Sequence, residues 1–153
     1  MTATSTKHVL FVCTGNTCRS PMAASLAVSR CLEDPDKWKG WVFDSAGIFA
    51  GAGSPATQEA VAAATRLGAS LDRHASKPLT PEMIEEASTI YCLTQDHVRL
   101  VNSIAPDAVD KVHLLDPDGE DVDDPIGGTQ DLYDQTALAL DRMVRARLEE
   151  LSS

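Results

Sequence analysis

Apolar positions in this chain fall into short runs separated by longer stretches in which they recur at helical spacing. Lys7–Val12 is β-branched and apolar and too short for a helix, which predicts a buried strand. Trp41–Ala46, Thr89–Leu93 and Lys111–Leu115 predict further strands. Between them lie helical patterns. Met22–Cys31 follows Ser20-Pro21, a pair that suits a helix start with Ser20 near the cap and Pro21 in the first turn. Ser54-Pro55 opens a second helix that runs to Leu67, with Gly68 as its stop. Thr80-Pro81 caps a short helix to Ala87, and Asp96–Ile104 is a further helix. Asp131–Leu151 is long and amphipathic, with Leu132, Leu138, Met143, Val144 and Leu148 among its apolar positions. Glu33–Gly40, Ile48–Ser54 and Ser70–Leu79 read as connections, and Asp116–Thr129 as a long acidic loop.

Strands that alternate with helices imply an α/β fold: a four-stranded parallel sheet flanked by helices on both faces. Such sheets bind ligands at the carboxyl ends of their strands. Cys13 begins the loop at that edge of the first strand, and the acidic loop leaves the fourth strand at the same edge.

Composition narrows the setting. A chain of 153 residues, 43% hydrophobic and 24% charged, is expected to be one globular domain over 1–153. Met1–Lys7 is polar, lacks a hydrophobic signal core and reads as a flexible N-terminal extension, so a cytoplasmic protein is expected. No apolar run has the length of a membrane span. The net charge of -10 argues against nucleic acid or an anionic membrane as partner. An anion site in this chain must therefore make its own local positive potential. The default expectation is a monomer. The four cysteines, Cys13, Cys18, Cys31 and Cys92, are expected to be reduced, with Cys31 and Cys92 in the core.

The stretch Val9–Met22, VLFVCTGNTCRSPM, provides such an anion site. An apolar strand stops at Cys13, a loop of small and polar residues comes next, and Arg19-Ser20-Pro21 leads into a helix. A thiol attacks as its thiolate. Backbone N–H groups, a helix N-terminus and Arg19 would favour that anion and hold phosphate oxygens as well. Arg19 adds a planar fork that binds two oxygens at once. Gly15 and Asn16 tolerate the left-handed backbone that a tight cradle requires. Ser20 and Thr14 are candidates to donate a hydrogen bond to the sulfur. A nucleotide P-loop is disfavoured because the Gly-Lys-Ser/Thr ending is missing. A zinc site at Cys13 and Cys18 lacks a second nearby pair, so no metal is expected. His8 and His97 are read as surface residues without a role.

At this level the sequence resembles the low-molecular-weight protein tyrosine phosphatase family. The matching motifs are VCTGNTCRSPMA, DSAG at Asp44–Gly47, His74, and Asp124-Pro125, and the likeness runs from about Val9 to the end of the chain. It implies a four-stranded parallel sheet, no cofactor, and phosphorylated proteins as substrates. It also implies that Cys13 is the nucleophile, that Arg19 binds the phosphoryl group, and that Asp124 is first general acid and then general base. Asn16, Ser20, Ser45 and His74 resemble the network that shapes the cradle. Asp116, Asp118, Asp121, Asp123 and Asp124 all lie in the acidic loop; Pro125 and the resemblance select Asp124, with Asp123 as fallback.

Details of the motifs bear on the substrate. The tyrosine-directed pattern has a bulky aliphatic residue in the place of Thr17 and an aromatic pair after Asp-Pro. Here Thr17 stands in TGNTCRS, Ser45-Ala46-Gly47-Ile48-Phe49-Ala50 lacks Trp and Tyr, and Ile126-Gly127-Gly128 comes after Asp124-Pro125. With His74 followed by Ser-x-Pro-Leu-Thr, these resemble the bacterial protein-arginine phosphatase branch, although Ile126 stands where that branch usually has an aromatic. A phosphotyrosine ring prefers aromatic walls, whereas a phosphoarginine guanidinium would hydrogen-bond to Asp124 and a threonine. Phosphoarginine is therefore the expected substrate and phosphotyrosine the alternative. Thr14, Gly15, Asn16, Thr17, Cys18, Phe49 and Ile126 are the candidate substrate contacts. A thiol-linked arsenate reductase would need a further pair of resolving cysteines, and a non-catalytic phospho-binding module would dispense with Asp124. Finally, Cys18 shares the loop with Cys13, so a reversible Cys13–Cys18 disulfide is expected as a redox guard.

Overall fold

The computed structural model describes residues 6–153. In chain order the elements are β1 (Lys7–Cys13), α1 (Arg19–Cys31), β2 (Trp41–Gly47), α2 (Gln58–Arg66), α3 (Pro81–Glu86), β3 (Thr89–Cys92), α4 (Gln95–Ile104), a 3-10 helix (Pro106–Lys111), β4 (Val112–Leu114) and α5 (Gln130–Leu151). The sheet is four-stranded, in the order β2-β1-β3-β4, and every pairing is parallel. β1 is central, which is why Val9–Cys13 are all buried and the strand reads as a continuous apolar run.

Alternate residues of β1 enter separate cores. Val9, Phe11 and Cys13 pack with buried residues of α1, α2 and α5, including Met22, Leu26, Ala63, Tyr133 and Leu140. Leu10 and Val12 pack with Ile84, Ile90, Val101 and Val112 on the other face. The expected helices on both faces are therefore present, and they leave the carboxyl edge of β1 as the open end.

Several expected boundaries move, each for a local reason. Lys7 is the first residue of β1, paired with Trp41, and not part of an extension; Met1–Ser5 of the expected extension lie outside the described residues. α1 begins at Arg19 and not at Met22, and its cap residue, Cys18, makes no side-chain capping bond. Ser20 sits inside the first turn because its hydroxyl is used by Cys13 and Asn16. α2 begins at Gln58 and not after Ser54: Thr57 is the cap and accepts from the Ala60 N–H. The chain stays out of helix before it because the Ser54 N–H bonds the Ser76 hydroxyl and the Thr57 N–H bonds the Thr17 carbonyl. The 3-10 helix at Pro106–Lys111 has no strong periodicity to betray it, and it shortens β4 at its start.

Two contacts position the loops that leave the strands. Arg147 of α5 donates to the carbonyls of Leu114 and Leu115 at 2.7 and 2.9 Å, which fixes where the acidic loop departs. Gly47, opposite Cys13 in the register, lets β2 approach the first loop closely. A Cβ at Gly47 would stand 2.5 Å from the Thr14 carbonyl oxygen.

Candidate active site

The Cys13–Arg19 loop closes around Asn16. Its backbone is left-handed, with φ 58°, a conformation Asn adopts more readily than most residues. The Asn16 side chain is fully buried, and both of its polar atoms are used. Its Oδ1 accepts from the Lys77 N–H at 3.0 Å, and its Nδ2 donates to Ser20 Oγ and Ser45 Oγ, both at 2.9 Å. The Asn16 carbonyl accepts from His74 Nε2 at 2.7 Å, so that ring nitrogen carries the proton. Asn16, Ser20, Ser45 and His74 thus form one connected network centred on Asn16.

That network aims a hydrogen at the thiol. Ser20 Oγ already accepts from Asn16, which leaves its own O–H to point along the 2.8 Å contact to Cys13 Sγ. The second candidate donor, Thr14, is engaged elsewhere. Its hydroxyl lies 2.8 Å from His97 Nε2.

Arg19 is buried in the first turn of α1. One terminal nitrogen donates to the Val122 carbonyl at 2.9 Å, and the other lies 3.5 Å from Asp124 Oδ2. Asp124 Oδ1 accepts from the Ile126 N–H at 3.1 Å, and the side chain remains 42% exposed, so it has access to an incoming group. The other carboxylates of the loop are elsewhere. Asp116 accepts from the Asp118 N–H in a turn, Asp121 accepts from the Gln95 N–H, and Asp118 and Asp123 are exposed. Asp124 is the carboxylate that reaches Arg19.

A small cavity of about 30 Å³ is lined by Cys13, Gly15, Asn16, Thr17, Cys18, Arg19, Asp124 and Ile126. It has room for little more than a phosphoryl group. Phe49 is 74% exposed and does not line it, though its N–H bonds the Thr14 carbonyl at 3.0 Å and ties its loop to the cradle. A larger groove of about 500 Å³ lies between α1, β2 and the segment 68–74. It reaches Ser45 and His74 but none of Cys13, Arg19 and Asp124, so it is not where this chemistry is gathered.

The cysteines divide into two kinds. Cys31 and Cys92 are core residues, and burial pushes both thiols up to about 12. Cys18 is buried beneath the loop, with Sγ 3.4 Å from the Tyr133 hydroxyl and 3.6 Å from Thr57 Oγ1, and it lines the same cavity as Cys13.

His97 is the residue that sequence reasoning misplaced. It is only 5% exposed and touches the cradle through Thr14. The signal that could have found it was its spacing from Val101, one turn on, which puts both on the buried side of α4. Flanking charges at Asp96 and Arg99 obscured it.

A parallel α/β sheet that presents a thiol in an anion cradle, with a carboxylate above an arginine, defines a cysteine-dependent phosphatase. Comparison with known proteins agrees. The model of the low molecular weight phosphotyrosine protein phosphatase family matches residues 8–153. The protein-arginine-phosphatase of Bacillus subtilis (strain 168) is 37% identical over 147 residues, covering 94% of this chain and 95% of its own length. Among solved structures, the low molecular weight protein tyrosine phosphatase from T. tengcongensis superposes with a TM-score of 0.88 at 34% identity, covering 95% of this chain and 99% of that one. A cysteine-to-serine mutant of the YwlE arginine phosphatase, with a phosphorylated active-site serine, superposes with a TM-score of 0.87 at 36% identity, covering 94% and 95%. The chain belongs to the low molecular weight phosphotyrosine protein phosphatase family.

Proposed function

We propose that this chain hydrolyses phosphoarginine on proteins through a cysteinyl-phosphate intermediate. The Cys13 thiolate attacks phosphorus while the cradle N–H groups and Arg19 hold the phosphoryl oxygens. The P–N bond breaks, and Asp124 gives its proton to the departing guanidine nitrogen. Water then attacks the phosphocysteine, Asp124 takes back a proton, and inorganic phosphate leaves with Cys13 restored as thiolate. No cofactor enters these steps.

The observation that carries the substrate choice is Thr17 facing the same small cavity as Cys13 and Asp124. A guanidinium that emerges from so small a pocket meets a hydroxyl and a carboxylate at once. An aromatic ring leaves the hydroxyl unmatched and finds Ile126 in place of a flat wall. The likeness to the Bacillus subtilis protein-arginine-phosphatase supports the same choice. Phosphotyrosine is the second reading, supported by the family's own description and by the T. tengcongensis relative.

Purified protein is expected to release phosphate faster from a phosphoarginine peptide than from a matched phosphotyrosine peptide, and Thr17→Ile to reverse that preference. Equal rates in the wild type would remove the arginine assignment. The shared cavity of Cys13 and Cys18 also supports a protective disulfide. Peroxide is expected to inactivate the enzyme and dithiothreitol to restore it; a Cys18→Ser variant that recovers equally well would refute the guard role. The polar neighbours of Cys18 Sγ include the hydroxyls of Thr57 and Tyr133.

A further inference from the structure

One turn of the fold touches both halves of the site. α4 begins at Gln95, after the cap residue Thr94, whose hydroxyl accepts from the His97 N–H at 3.2 Å. On one side of this turn, the acidic loop is attached twice. Asp121 Oδ1 accepts from the Gln95 N–H at 2.8 Å, and the Leu93 carbonyl accepts from the Val122 N–H at 2.9 Å. Val122 in turn holds Arg19 through its carbonyl. On the other side, His97 Nε2 meets Thr14 Oγ1 at 2.8 Å. The cradle and the loop that bears Asp124 are therefore registered against the same short piece of backbone.

The state of the ring is set by its surroundings. Burial first, and then the Arg19 charge, push His97 down to about 4, against the opposing pull of Asp96, Asp121 and Asp124. The ring is neutral at pH 7. Its Nδ1 is buried with no partner among the described residues. A buried N–H without an acceptor is a worse orphan than a bare lone pair, so the hydrogen belongs on Nε2. There it donates to Thr14 Oγ1 and leaves the threonine's own hydrogen free.

We propose that His97 is a positioning residue for this reaction: through Nε2 it fixes the side chain of Thr14, the residue after the nucleophile, and so holds the cradle in register with the Asp124 loop. The inference rests on the phosphatase reading above. It gives a buried, polar, half-satisfied histidine a reason to be there. An apolar residue would fill the same space without an unpaired atom, but it would leave Thr14 free to turn.

The test is a cycle of variants at His97 and Thr14, with kcat and KM measured on an aryl phosphate and stability read from urea unfolding. His97→Leu fills the volume and removes the bond. It is expected to lower kcat roughly 10- to 30-fold with KM changed less than about twofold, as for an interaction realised in the transition state. His97→Gln, whose amide reaches the Nε2 position, is expected to recover most of that loss. Thr14→Val is expected to lose as much as His97→Leu, and the double variant no more than either alone. Wild-type kcat in His97→Leu, a Gln variant as impaired as Leu, or losses that multiply in the double variant would each overturn the proposal. If His97→Leu does not fold, the same cycle is run with Thr14→Val in the His97→Gln background, where Thr14→Val that costs nothing overturns it. Cys13→Ser is measured alongside. Activity retained there removes the cysteinyl-phosphate mechanism on which the inference rests, whereas a dead Cys13→Ser beside an unimpaired His97→Leu removes only the positioning role.

Discussion

Gly47→Ala is a test of the cradle that replaces none of its polar side chains. The added Cβ would stand 2.5 Å from the Thr14 carbonyl oxygen, 2.8 Å from Ala50 Cβ and 3.0 Å from Asn16 Cβ. Ordinary contact begins near 3.4 Å, so the Thr14 backbone must retreat by about 0.9 Å or β2 must move away. Gly47 is not among the glycines with positive φ, so the effect reports this contact and not backbone strain. Thr14 lies between Cys13 and Asn16, and a displacement of roughly 1 Å there is expected to cost about 10²-fold in kcat/KM, near 3 kcal/mol of transition-state stabilisation. The same overpacking is expected to cost about 1–3 kcal/mol of stability. The assay is kcat/KM on an aryl phosphate at a temperature where urea unfolding shows the variant fully folded. Gly51→Ala is the control, since a Cβ there meets nothing. A folded Gly47→Ala protein with wild-type kcat/KM would refute the idea that the close approach of β2 shapes the cradle.

Other consequences are open to direct measurement. Asp124→Asn is expected to lower kcat by about 10²–10³-fold on substrates with poor leaving groups and less on an activated aryl phosphate; equal losses on both would argue against its role as acid. Because the folded state depresses His97 from 6.5 to about 4, the unfolded chain takes up the proton first as pH falls. Stability is therefore fully present above pH 6.5 and declines toward pH 4, by on the order of 2–3 kcal/mol from this group. The urea midpoint of wild type relative to His97→Gln should fall between pH 7 and pH 4, and parallel curves would refute the assignment. Iodoacetamide at pH 7 should modify Cys13 and spare Cys31 and Cys92, whose burial holds them protonated up to about 12; peptide mapping that finds either of them alkylated in native protein would contradict this.

The parts of the site that were legible in the sequence are those carried by contiguous residues. β1, its loop and α1 occupy one stretch, and strand periodicity, small loop residues and the Ser-Pro pair each leave a local mark. The acid left little. The carboxylates after β4 look alike in composition, and Pro125 with the resemblance, and then the contact with Arg19, separates Asp124 from them. Ser-Pro misled twice about where a helix begins. Ser20 has its hydroxyl committed to the sulfur, and Ser54 is tied to Ser76, both contacts that local propensity does not encode. His97 failed for a related reason: its neighbours Asp96 and Arg99 suggested solvent, while its partner Thr14 is 83 positions away.

The strand order carries a consequence for the life of the chain. β1 is made first, yet it lies between β2 and β3, and neither neighbour exists when it leaves the ribosome. Arg19 waits longer still, for a Val122 carbonyl 103 positions later. Contacts of such separation form slowly and late. A nascent chain thus carries Cys13 and Arg19 for most of synthesis before Val122 and Asp124 exist to meet that arginine. The arrangement around Cys13 is complete only when the 116–129 segment lies on Arg19 and Arg147 of α5 anchors its start, so a chain cut short of α5 lacks that anchor.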